Sequence, residues 1–115
     1  MRRRPPGQAA GDLLAGTLDM LILRILRAGP AHGLSIAQAI ERRSDAVLFV
    51  EQGSLYPALH RLEARGWVAS YWGASDTNRR ARFYRVTPKG RRQLVAESSR
   101  WQALARAVAR VMVTE

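Results

Sequence analysis

Residues 52–66, QGSLYPALHRLEARG, constrain the fold more than any other stretch, because one short helix there has to serve two faces. Leu55, Leu59 and Leu62 recur at i, i+4 and i+7, the spacing that lines one side of a helix and sends it into a core. Tyr56, His60 and Arg61 then point elsewhere, with Gln52, Gly53 and Ser54 at the helix start. Pro57 limits where the helix can begin, since its ring clashes with the carbonyl four residues back and it has no N–H. The predicted helix therefore starts near Gly53 or Ser54 and covers 53–65, with free backbone N–H groups beside Ser54 and Tyr56. Hydroxyl, imidazole and guanidinium groups at a helix N-terminus suit phosphates and base edges. An ordinary amphipathic helix with a solvated polar face reads the same way.

The chain beyond this helix favours the first reading. Residues 67–72 alternate enough to form a strand, unusually aromatic at Trp67, Tyr71 and Trp72. GASDTN, 73–78, is turn chemistry throughout. Arg82 to Thr87 returns as the partner strand, with Tyr84 and Val86 on one face and Phe83 and Arg85 on the other. From Arg79 to Arg92 there are seven basic residues and no acid, an asymmetry that points to phosphate. Helix plus basic hairpin is the pair of parts with which a winged helix grips duplex DNA. The wing is expected over 73–82, with Arg79, Arg80 and Arg82 as its contacts.

Charge agrees with that reading. The net charge is +10, and every basic residue except Lys89 is arginine, whose planar fork matches phosphate and guanine edges. The same excess also fits simple solubility. With no cysteine, disulfides, thiolate catalysis and cysteine-ligated metals are ruled out. His32 and His60 lack carboxylate neighbours at ligand spacing, so neither a metal nor a cofactor is expected. Residues 7–16 hold no apolar core of a signal peptide and no run is long enough to span a bilayer, which leaves the cytoplasm as the expected compartment and no membrane as a partner.

The rest of the chain supplies a frame. Residues 1–15, with Arg2, Arg3, Arg4, Pro5 and Pro6, read as a flexible basic arm. Thr17 is placed as the N-cap of a first helix in which Leu18, Leu21, Ile22, Ile25 and Leu26 share one face, while Met20 and Leu23 add a second. Gly29-Pro30 ends it. A second helix carries Leu34, Ile36, Ala37 and Ile40, capped by His32 or Ser35, and VLFV (47–50) is a short apolar bridge to the next helix. Thr87-Pro88 opens a last helix as cap and first-turn proline. There Leu94, Ser98, Trp101, Ala105, Val108 and Met112 step by four and three, the spacing of a coiled-coil seam, with Leu104 and Val111 beside it. Such a stripe is buried by a second copy of the chain, by packing back onto the first helix, or by both.

These segments resemble the PadR-like transcriptional regulators, through GTLDMLILRIL (16–26), GPAHGLSIAQAI (29–40), GSLYPALHRLEARGWV (53–68) and RRARFYRVTPKGRRQL (79–94). The resemblance spans Thr17 to Met112. It implies an α+β fold, mainly α with a small β-hairpin, a winged helix-turn-helix over 16–90 followed by a C-terminal dimerisation helix over 91–115. It also implies a dimeric repressor bound to a palindromic operator in double-stranded DNA. Gln52, Gly53, Ser54, Tyr56, Pro57, His60 and Arg61 fall on the recognition helix. Leu94, Trp101, Leu104, Ala105, Val108, Val111 and Met112 fall on the dimer helix. Some relatives take an aromatic small-molecule effector near that interface, where Trp101 lies. A protein-interaction module and a non-specific architectural DNA binder remain as alternatives. No constellation of catalytic residues is visible.

Overall fold

A computed structural model describes residues 6–113, with side chains from Thr17 onward. Helix α1, Pro6–Arg27, is the element on which the others are laid. Leu18, Met20, Ile22, Leu23 and Leu26 are all buried, and Leu21 and Ile25 half-buried. Apolar surface on more than one stripe lets α1 meet several neighbours at once. Helices α2 (Gly33–Arg43), α3 (Gln52–Ala64) and α4 (Pro88–Met112) and strand β3 (Arg80–Val86) all pack against it.

The helix does not begin at Thr17. It reaches back to Pro6, so Thr17 is interior, and residues 6–15 of the expected arm are helical. Proline fits the first helical position, and Ala9, Ala10, Leu13, Leu14 and Ala15 outweigh the glycines between them as helix formers. Arg2, Arg3 and Arg4 lie outside the described residues.

The expected hairpin is the major part of a three-stranded antiparallel sheet of order β1-β3-β2. Strand β2, Val68–Ala74, pairs with β3 in the register Val68–Val86, Ser70–Tyr84, Trp72–Arg82, Ala74–Arg80. On the other edge of β3 lies β1, only Ala31–His32, set against Tyr84 and Phe83. Period-two alternation puts Val68, Tyr84 and Val86 on the inner face, where all three are buried. His32 and Tyr71 flank Phe83 on the outer face, edge-on at 5.5 Å and stacked at 5.7 Å between ring centroids.

Helix ends follow local chemistry. His32 caps α2, its Nδ1 accepting from the Ser35 N–H at 3.3 Å. Helix α3 closes in a Schellman turn: Gly66 at φ +74° lets Trp67 N–H reach Leu62 O (2.9 Å) and Gly66 N–H reach Glu63 O (3.0 Å). Helix α2 ends the same way without glycine. Ala46 N–H donates to Glu41 O at 2.8 Å, with Asp45 at φ 52° and Ala46 at φ 62°. Aspartate tolerates that region, but alanine is strained there by about 1 kcal/mol. Ala46→Gly should therefore raise stability by roughly 0.5–1 kcal/mol, read as a higher urea midpoint at unchanged slope. A lower midpoint would mean that Ala46 is not left-handed.

Candidate nucleic-acid interface

Helix α3 stands with Leu55, Ala58, Leu59 and Leu62 fully in the core, so its opposite side faces out. Gln52, Gly53, Ser54, Tyr56, Pro57, His60 and Arg61 are all exposed. The helix starts at Gln52, slightly earlier than the sequence suggests, after an extended Glu51 that makes no side-chain cap. Ser54 N–H is not free, since it and Leu55 N–H both donate to Glu51 O at 3.0 Å. Pro57 consequently sits in the second turn rather than the first. Its missing N–H orphans the Gly53 carbonyl, at little cost because this side of the helix is open to water.

The exposed residues do not share one face. Tyr56 leans towards the sheet side, its ring and hydroxyl so close to Gly33 that a Cβ there would stand 3.0 Å away. Arg61, about 140° further round the helix, donates to Asp19 of α1 at 3.1 Å. It points away from the core, as the sequence suggests, but its guanidinium is held by α1. His60 and Gly53 lie between these flanks, and a Cβ on Gly53 would meet only open space.

The wing is a continuation of the inner face of the hairpin. Near its base that face is core. Further out it carries Ser70, Arg82, Trp72 and Arg80, which period-two spacing places in line with Tyr84 and Val86. Arg80 lies over the Trp72 ring at 4.6 Å and Arg82 over the same ring at 5.8 Å. Arg82 also donates to Ser70 Oγ at 2.8 Å and lies 3.6 Å from Glu63 of α3. Ser70 in turn donates to Glu63. The turn at the tip is closed by Ser75 N–H to Arg79 O (2.8 Å), with Asn78 left-handed at φ 59°. The Arg79 guanidinium has no partner among the described residues. Trp72, Ser70 and Glu63 are not among the residues that the sequence points to for DNA; it marks Trp72 only as an unusual strand aromatic, and the strand register is what sets Trp72 beside Arg82.

Between the start of α2 and the wing runs an open cleft of about 700 Å³, bounded by His32, Gly33, Gln38, Trp72, Arg79 and Arg80 among others, with Tyr56 as its lining residue from α3. Burial pushes the Tyr84 hydroxyl at its edge above its ordinary range, against a smaller downward pull from Arg82. Cations, aromatic faces and a helix side converge on a groove fit for a polyanion.

Helix α4 divides into two parts. Leu94 was expected at a dimer seam, but it is 4% exposed and belongs to the core of its own protomer. From Ser99 to Val113 every residue is exposed, including Trp101, Leu104, Ala105, Val108, Val111 and Met112. Packing onto α1 therefore accounts for the first turns of α4 and leaves the rest of its apolar stripe uncovered. Among the described residues no helix is long and apolar enough to cross a membrane, and no group of acidic or histidine side chains is arranged to hold a metal.

Residues 22–96 match the model of the Transcriptional regulator PadR-like family. A transcriptional regulator of Mycobacterium tuberculosis is 40% identical over 77 residues, covering 67% of this chain and 68% of that protein. A transcriptional regulator from Clostridium thermocellum superposes with a TM-score of 0.78 at 31% identity, covering 90% of this chain and 99% of its own. A PadR family transcriptional regulator from Eggerthella lenta gives 0.75 at 31% identity, with 94% and 92% covered.

Proposed function

Because the chain belongs to the PadR-like family of transcriptional regulators, we propose that it acts in the cytoplasm as a dimeric repressor on a palindromic operator. It works by binding, not by catalysis. The winged-helix unit over 16–90 reads the duplex, and the segment over 91–115, which holds most of α4, joins two copies. The observation that carries the DNA half of this reading is the exposed outer side of α3, whose Tyr56 lines one open cleft together with the exposed Arg79 and Arg80 of the wing. On that side Gln52, Gly53, Ser54, Tyr56, Pro57 and His60 meet base edges and nearby phosphates, while Arg79 and Arg80 of the wing take backbone phosphates. Arg61 serves the interface from its flank, with Asp19 holding it. The exposed stripe on α4 supports the dimer. Trp101, exposed on that stripe, is also where an aromatic effector would sit against the interface.

Selection of bound duplexes from a random pool tests the whole reading. A palindrome supports a dimeric, sequence-specific regulator. An unordered pool with strong salt dependence supports an architectural binder instead.

The wing has its own test. Alanine at both Arg79 and Arg80 removes two phosphate contacts per protomer. In a dimer the plot of log K against log salt should flatten by up to about 4 units, at roughly 0.9 per contact. Affinity should fall by a similar factor for every sequence. An unchanged slope with lost preference at one base pair would show that the wing reads bases.

A further inference from the structure

Recognition helix and wing are separate elements, and the angle between them sets whether both can reach one duplex. Only one set of polar side-chain bonds spans them among the described residues. Glu63, on the last turn of α3, accepts from Ser70 of β2, and its Oε1 lies 3.6 Å from Arg82 of β3. Arg82 closes the triangle by donating to Ser70 Oγ at 2.8 Å. The same guanidinium lies against the Trp72 ring, whose other near neighbour is Arg80 at 4.6 Å. The connections thus run from the recognition helix through Glu63, Arg82 and Trp72 to Arg80.

We propose that Glu63, Ser70 and Arg82 form a tie that fixes the wing against the recognition helix, so that Arg82 is a positioning residue and Arg80, held on Trp72, is the phosphate contact. The proposal rests on the DNA-binding reading above and gives Arg82, expected from the sequence as a third wing contact, a different role. Two arguments carry it. Arg82 already commits Nη2 to a hydroxyl and a carboxylate and lies against an aromatic face, so its guanidinium is oriented by these partners before any phosphate arrives. Glu63 is a carboxylate between the recognition helix and the wing, where a free negative charge opposes the approach of a polyanion. Paired with Arg82 it contributes orientation at little net charge. Both partners are part-exposed, at 47% and 34%, so the pair does little for overall stability. Its effect is to set an angle.

Two measurements test the tie, and one is independent of DNA. The chain has no cysteine, so spin labels go on cysteines placed at exposed Ala64 and Thr77 without background. The distance distribution between helix and wing tip should be narrow in the parent and broaden in both Glu63→Ala and Arg82→Ala. An unchanged distribution in both overturns the tie, whatever the protein binds.

The second measurement is affinity for the selected duplex across a salt series, in Glu63→Ala, Arg82→Ala and the double variant, with thermal melts to confirm folding. The tie predicts that each single change weakens binding by roughly tenfold, that the double is no worse than either, and that the salt slope holds. Direct phosphate contact by Arg82 predicts the reverse sign for Glu63. Removing that carboxylate would then tighten binding, while Arg82→Ala would flatten the slope by about 0.9 per protomer. A parent that binds no duplex would defeat the DNA reading and leave the label distances to judge the tie.

Discussion

Gly90→Ala should melt far below the parent protein, although it replaces glycine with the best helix former. Gly90 is buried in the first turn of α4. A Cβ built there would stand 2.0 Å from the carbonyl oxygen of Trp67 and 2.9 Å from Cγ2 of Val86. The carbonyl cannot retreat freely, because it accepts from Thr87 N–H at 3.0 Å. Thr87 Oγ1 in turn donates to Gly66 O at 2.6 Å and accepts from Gly90 N–H at 3.0 Å. The start of α4 is thus fastened to the α3–β2 junction through backbone atoms. Helix propensity favours alanine by about 1 kcal/mol. Overpacking against a fixed backbone costs about 3 kcal/mol or more, so the clash wins. The melting temperature should drop by roughly 10 °C. Gly53→Ala is the matched control, the same chemical change in a helix with open space around the new methyl. It should leave the melting temperature unchanged or slightly higher. A Gly90→Ala protein as stable as its parent would mean that α4 does not dock on Trp67.

The sequence alone announces features whose cause lies within a turn or two of chain. Thr87-Pro88, the His32 cap, the Leu55-Leu59-Leu62 face and the inward Tyr84 and Val86 are of that kind, and each stands where its local chemistry puts it. What escapes is set by pairing across distance. Arg61 looked like a free cation on an outward face, and Asp19, 42 residues away, claims it. Arg82 looked like the equal of Arg79, and Glu63 separates them. Strand β1 has two residues and no pattern of its own; it exists because β3 offers it an edge. Leu94 carried seam spacing, yet α1 lies close enough to bury it. Thr17 misled for a different reason. A good capping residue does not end a helix when the residues before it favour helix as strongly as Leu13, Leu14 and Ala15 do.

Trp101→Ala should convert the proposed dimer to a monomer at concentrations where the parent associates. Trp101 is 45% exposed in the protomer, and Leu104, Val108, Val111 and Met112 on the same stripe are more exposed still. Nearly half of a tryptophan surface, roughly 100 Å², thus remains to be covered. At about 25 cal/mol per Å² that is roughly 2–3 kcal/mol for each copy. A two-fold interface counts the residue twice, so the variant should lose about 4–6 kcal/mol of association, a thousandfold or more in Kd. Val95, exposed and about 120° round the helix from Trp101, provides the control; its truncation should leave association alone. Sedimentation of the three proteins at micromolar concentration reads the difference directly. In the proposed dimer, operator geometry depends on the same contact. Two-fold symmetry places the recognition helices in successive major grooves, about 34–36 Å apart. Trp101→Ala should then bind a single half-site as weakly as each protomer of the parent does, and gain nothing from a second half-site on the same duplex. A parent protein that sediments as a monomer would leave the α4 stripe without its partner and remove the reason for a palindrome.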